Sequence, residues 1–175
     1  MSAQPNQFTG LWNGPIDKNA SSVINAIYAP VDPTIQLFIG SPVNLIAPTD
    51  NTILPNVDLL NETIDIEKFY GIAVAGDKDG IYPNSGSGFF PGSLIAEIGD
   101  GVRVCTQGRC VARLRTLNFS INIGDPLTPV GNDSDSLEPA ESGDFVVARS
   151  LVELPQADPS LVMGPVDIQR EGSLP

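Results

Sequence analysis

Residues 123–154 read IGDPLTPVGNDSDSLEPAESGDFVVARSLVEL, and this stretch decides the fold class. Gly124-Asp125-Pro126 is a turn signal: glycine permits positive φ, aspartate bonds its own backbone, and proline pre-sets the following φ. Leu127 to Val130 is a short strand interrupted by Pro129, which predicts an edge strand or a bulge. An acidic loop over 131–143 follows. Phe145 to Ala148 is then apolar without a break, the pattern of a strand buried on both faces. The stretch predicts the centre of a β core.

Upstream, Leu117, Phe119, Ile121 and Ile123 alternate with Asn118, Ser120 and Asn122, the clearest period-two signal in the chain. Leu94–Ile98, Val102–Cys105 and Cys110–Leu114 are further predicted strands. Apolar parity changes near Arg115-Thr116, which predicts a bulge or corner of the kind a closed barrel needs. Phe69 to Val74 is a strand followed by the turn Gly76-Asp77-Lys78-Asp79-Gly80. Asp77-x-Asp79-Gly80 lacks the further oxygen donors and distant Glu of a calcium loop, so it is assigned to a hairpin turn. Ile35 to Ala47 predicts strand, bend and strand around Gly40-Ser41-Pro42. Val57 to Phe69 is compatible with either helix or strand.

Residues 1–34 are rich in Gln, Asn, Ser and Pro, with Phe8, Leu11, Trp12 and Ile16 isolated among them. Prolines at 5, 15, 30 and 33 favour extended backbone. Four such anchors do not repay the entropy of ordering the segment. It therefore reads as an extended arm that adds a strand, lies along a neighbour or stays loose. Residues 35–154 read as the β domain and 155–175 as a short Pro-rich tail, in which Val162-Met163 and Val166 to Ile168 are compatible with one more strand. The fold class is mainly β, a small β-barrel or β-sandwich with an extended N-terminal arm and a short C-terminal tail.

Composition agrees. Glycine (17) and proline (16) make up about a fifth of 175 residues, against a typical ~12%, which favours short strands and tight turns over long helices. Nine basic against 21 acidic residues give a net charge of −12. That opposes nucleic-acid binding, which depends on cationic contacts to phosphate, and binding to anionic membranes. The first twenty residues lack the charged and apolar regions of a secretory signal. No apolar run has the ~18–20 residues of a membrane span. The Asn-X-Ser/Thr triplets at Asn19, Asn61, Asn118 and Asn132 are read as chance on that basis. Arg103, Arg109, Arg113 and Arg115 cluster in a segment without acids. They are either a solvated hairpin edge or a contact surface for an acidic neighbour.

Chemistry is sparse. Histidine is absent, which removes His-based triads and His metal ligands. Two cysteines cannot complete a structural zinc site unaided. Cys105 and Cys110 enclose Thr-Gln-Gly-Arg, read as a four-residue hairpin loop. A cross-strand disulfide and two reduced thiols are both compatible with that spacing. Among the acids Asp133, Asp135, Glu138, Glu141 and Asp144, a solvated loop is favoured over an ion site. No catalytic, cofactor-binding or metal-ligating residue is assigned, and no cofactor is expected.

GDPLTPVG followed by a variable loop and GDFVVARSLVE resembles the C-terminal part of tailed-bacteriophage capsid cement (decoration) proteins. Phe69-Tyr70-Gly71-Ile72-Ala73-Val74 and Pro91-Gly92-Ser93-Leu94-Ile95-Ala96 match in the same order, so the resemblance covers 69–154. It implies a non-enzymatic structural protein, made in the host cytoplasm, that binds the outer capsid surface and bridges capsomers. Its expected partners are the major capsid protein and itself, as a homotrimer or a dimer. The putting-together of Phe8, Leu11, Trp12, Ile16 and the four arginines as the interface follows from the arm and the basic segment. The rival readings are a receptor- or glycan-binding virion module and a carboxylate-dependent hydrolase.

Overall fold

The computed structural model describes residues 22–48, 53–60, 69–77, 94–130, 135–156 and 161–175. Among them every regular element is a strand. These are β1 (Ser22–Tyr28), β2 (Leu37–Phe38), β3 (Pro42–Ile46), β4 (Asn56–Leu59), β5 (Phe69–Gly76), β6 (Leu94–Ala96), β7 (Gly101–Arg115), β8 (Pro126–Pro129), β9 (Leu137–Pro139), β10 (Phe145–Ser150) and β11 (Leu161–Ser173). The mainly-β expectation holds, and the barrel alternative is the one realised.

Nine of the strands form two rings that share β7, and β2 pairs with β6 in a separate two-stranded sheet. In the first, β1, β4, β3, β5 and β7 follow in order, and β1 pairs back onto β7 to close a five-stranded barrel. In the second, β11, β10, β8 and β9 continue from the far half of β7 and return to it through the Leu114–Leu137 bridge. Closure removes the unpaired edges that an open sheet presents. The handover occurs between Gln107, which faces Ser22 of β1, and Gly108, which faces Ile168 of β11. Gly108 has φ +80°, a conformation that glycine adopts at little steric cost, and it lets one strand serve both rings.

Alternation along β7 explains its placement. Val102 and Val104 point into the first barrel, while Arg103, Gln107 and Arg109 are exposed. The first core contains Tyr28, Leu37, Ile39, Val43, Val57, Ile95, Val104 and Met163. The second contains Cys110, Ala112, Leu114, Leu127, Leu137, Val147, Ala148 and Val166. It continues onto Phe69, Ile72 and Val74 of β5. Full burial of side chains of this size contributes about 1.5–3 kcal/mol each.

Several boundaries differ from the sequence reading. Ser22–Tyr28 was assigned to the arm, but it is a barrel wall, with Ala26 and Tyr28 buried. The short C-terminal tail is instead mostly β11, paired with β7 over Leu161 to Ile168 and with β10 up to Ser173. Both segments look polar because one face of each strand meets solvent. The Cys105–Cys110 hairpin is also corrected. β1 and β5 flank Val102 to Cys105 on both edges, so no edge is left for Cys110–Leu114, and the Thr-Gln-Gly-Arg segment lies within β7. The alternating run 117–123 forms no ladder; only Ile121 bridges to Leu154. Val57 to Leu59 is strand and Leu60 is buried in the core, while 61–68 lie outside the described residues.

The bend at Gly40 and the strand Phe145–Ala148 come out as read. Gly40 has φ +83°, and Val146, Val147 and Ala148 are all buried. β8 ends at Pro129 but is paired on both sides, with β10 and with β9.

Candidate functional site

The four arginines of the basic segment do not form one surface. Arg103 and Arg109 are exposed on β7 and Arg115 is half-buried, whereas Arg113 is only 6% exposed. Arg113 is therefore corrected from interface to core. Its Nη1 meets Asp135 Oδ2 at 2.5 Å, and its guanidinium carbon lies 5.2 Å from the centroid of the Phe38 ring. Burial lowers its affinity for a proton, and Asp135 opposes that effect. The acid that compensates it comes from the loop read as solvated. Phe8, Leu11, Trp12 and Ile16 lie outside the described residues, as does Asp133.

The rest of the acidic segment divides by position. Glu138 sits on β9, and burial holds its carboxyl above the ordinary range. Arg115 opposes this, while Asp144 and Glu141 add to it. Asp144 Oδ2 accepts the Glu141 amide at 2.8 Å, closing the turn before β10. Among the described residues no group of three or more His, Cys, Asp or Glu is arranged to hold a metal ion.

Cys105 and Cys110 are free and both buried. Cys105 Sγ donates to the Gln107 carbonyl at 3.4 Å. Burial pushes the Cys110 thiol well above its ordinary value, and the neighbouring Cys105 thiol adds to the shift. A thiol so held is a packing group, since the reactive form is the thiolate.

Two groups escaped the sequence reading. Asp58 stands in β4 with both oxygens occupied: Oδ2 accepts the Val31 amide at 3.1 Å and Oδ1 the Leu59 amide at 2.6 Å. Desolvation nonetheless raises its pKa. The nearby Tyr28 hydroxyl donates to the Ile35 carbonyl at 3.1 Å. Burial, with Asp58 and Asp32 nearby, also raises the Tyr28 pKa. Arg170, in the supposed tail, donates through Nη2 to the Tyr70 carbonyl at 2.8 Å and lies 5.4 Å from the centroid of the Phe69 ring. The Val-x-Ile alternation around Asp167 was the available signal for that strand.

Arg170 lines an open groove of about 500 Å³ with Ile24, Tyr70, Thr106, Gln107 and Ile168. A second hollow, of about 370 Å³, includes Asn25, Leu54, Asp77 and Arg103. Both lie along the β1–β7 pair. Asp77 is engaged there, since its Oδ2 accepts the Gly101 amide at 2.7 Å. The arrangement offers shallow polar and apolar contact area. It suits the binding of a surface better than the enclosure of a small molecule.

No family model and no curated protein matches the sequence. Among solved structures, the chain is similar to the N base of head fibre gp8.5 of bacteriophage phi29. That match has a TM-score of 0.46 and 12% sequence identity, covering 89% of this chain and 98% of that one.

Proposed function

We propose that this chain is a structural virion protein that binds the outer surface of a phage capsid and bridges neighbouring capsomers. Its partners on this reading are the major capsid protein and further copies of itself, as a homotrimer or a dimer. The observation that carries the reading is the resemblance of 69–154 to capsid cement proteins, together with how those residues pack. GDPLTPVG supplies β8 and GDFVVARSLVE supplies β10, and the two are direct neighbours, with Leu127 facing Ala148 and Pro126 facing Arg149.

Arg149 supports the same unit. Its Nε and Nη2 each reach Glu171 at 2.6 Å and its Nη1 donates to the Gly124 carbonyl at 2.8 Å. The one charge in the FVVARSL strand thus clamps the turn before β8 to β11. On this reading it serves the module that carries the resemblance.

The chain is read as non-enzymatic. Asp58 and Arg113, whose protonation is displaced by burial, are occupied by structural partners. A clamp works through area and multivalency. The test is reconstitution. Shells assembled without this chain are expected to show lower thermal or mechanical resistance, and added purified protein restores it. Protein that never attaches to such shells defeats the proposal.

A further inference from the structure

We infer that the open edge of β1, over Val23 to Asn25, is a self-pairing site. It adds the same strand of a second copy of this chain in antiparallel register, with Ile24 at the two-fold axis. The contact rests on the self-association proposed above and supplies a surface for it.

The first ring closes on β1 in part. β7 lies along β1 from Ser22 to Ile27, whereas β4 meets it at Ile27 and Tyr28. Backbone groups of successive strand residues turn to opposite edges. The Tyr28 amide turns to the β7 side, donating to the Asp100 carbonyl at 2.9 Å. The Ile27 and Ala29 amides turn to the β4 side, donating to the Pro55 and Val57 carbonyls at 2.9 Å each. The register against β7 is regular from Val23 to Ile27, so Val23 and Asn25 share the direction of Ile27. Their N–H and C=O groups lie beyond the reach of β4 and pair with nothing among the described residues.

Open edges are ordinarily blunted by lysine, proline, a bulge or an inward charge. Val23 to Ile27 has none of these, and Ile24 is 40% exposed. Such an edge takes an extended strand, whose main-chain hydrogen bonds give the affinity.

Charge and symmetry select the occupant. A net charge of −12 sets copies of the chain against one another, yet residues 19–31 hold no charged side chain. Arg103 and Asp77, which share a hollow with Asn25, are of opposite sign. Two copies therefore meet along β1 with little repulsion. The edge is also its own complement. Centred on Ile24, an antiparallel pair sets Val23 of each copy opposite Asn25 of the other, and each such pair exchanges hydrogen bonds in both directions. Ile24 then faces itself as the non-hydrogen-bonded pair, with Cα atoms about 4.5 Å apart. A contact of this kind is isologous and closes at two copies.

Sedimentation of the full chain is expected to give a weight-average mass that climbs with concentration toward twice that of the monomer. Amide exchange at Val23 and Asn25 is expected to be fast in the dilute chain and slowed on association. Asn25→Pro removes an outward N–H without touching the β7 ladder, and is expected to hold the chain monomeric with the wild-type circular dichroism spectrum. Should that proline disturb β1, Ile24→Lys serves as the second variant, since it sets like charges directly opposite each other and abolishes the pairing. Because this residue faces itself, I24K mixed with I24E regains a dimer that neither forms alone. A wild-type chain monomeric at every concentration overturns the inference, as does association that survives N25P and I24K alike. Val23 and Asn25 amides already protected in the monomer also overturn it, because the edge is then covered within one chain. Shells that bind a strictly monomeric wild type remove this pairing and leave capsid binding standing. A dimer that binds no shell does the opposite.

Discussion

Arg113 on β7 and Asp135 at the edge of the acidic loop form an ion pair whose Nη1–Oδ2 distance is 2.5 Å, with side-chain exposures of 7% and 23%. The asymmetry of burial predicts an asymmetry of mutation. Asp135→Ala strands a buried guanidinium and is expected to cost about 3–5 kcal/mol. Arg113→Met keeps an apolar stem beside Phe38 and leaves a carboxylate that can turn to water, so it costs less. Urea midpoints of the two variants decide this; equal losses would show that the cation is solvated.

Gly40 is held on both sides. Its amide donates to the Ala73 carbonyl and its carbonyl accepts the Arg113 amide. A Cβ at this position would lie 2.6 Å from the Arg113 nitrogen, whereas one at Gly124 would meet nothing within 4 Å, although both glycines have positive φ. Gly40→Ala should therefore exceed the ~1–2 kcal/mol conformational cost of a left-handed residue, and Gly124→Ala should stay near it. Thermal melts of the pair test whether the close approach is real.

Asp58 gives a pH signature. Its folded-state pKa is raised, chiefly by desolvation, so the native chain holds the proton more tightly than the unfolded chain. Its contribution is fully present below the unfolded value of ~3.9. It is lost as pH rises through the raised folded value. Asp58→Asn removes that slope while keeping one acceptor oxygen, so the variant should gain on wild type between about pH 4 and 7. Melting temperatures that run parallel across this range would refute the assignment. Glu138 acts in the same direction. Exposed Glu171, whose pKa is lowered by Arg149, acts in the opposite one: its contribution is present above its unfolded value and lost as pH falls through the folded one.

Cys105 and Cys110 are both 0% exposed and unbonded. Iodoacetamide should leave the native chain unlabelled over hours and modify both positions in denaturant. Intact-mass spectra distinguish this from a bridged pair, which would remain unlabelled in denaturant unless reduced.

Much of the first barrel and of the β8–β10 module was legible because it rests on local rules. The 35–47 stretch gave its bend through Gly40-Ser41-Pro42, and the continuous apolar run at 145–148 marked a strand covered on both faces. The candidate surface was less legible. Arg103 and Arg109 came out exposed, but Arg113 two turns of alternation later did not. Arg170 was hidden in a segment that looked like tail. A strand with one wet face and interspersed Pro, Gly and Asp carries little periodic signal of its own.

The chain by itself determined that the molecule would be built of short strands and glycine turns, because backbone preference and side-chain alternation are properties of neighbouring residues. Tertiary structure decided that Gly101–Arg115 would be one strand shared by two rings. It also decided that residues from 22 and up to 173 would complete those rings, and which arginines would meet water. Those outcomes depend on which strand occupies each hydrogen-bonding edge, a competition among segments as far apart along the chain as β1 and β11 that no local pattern records.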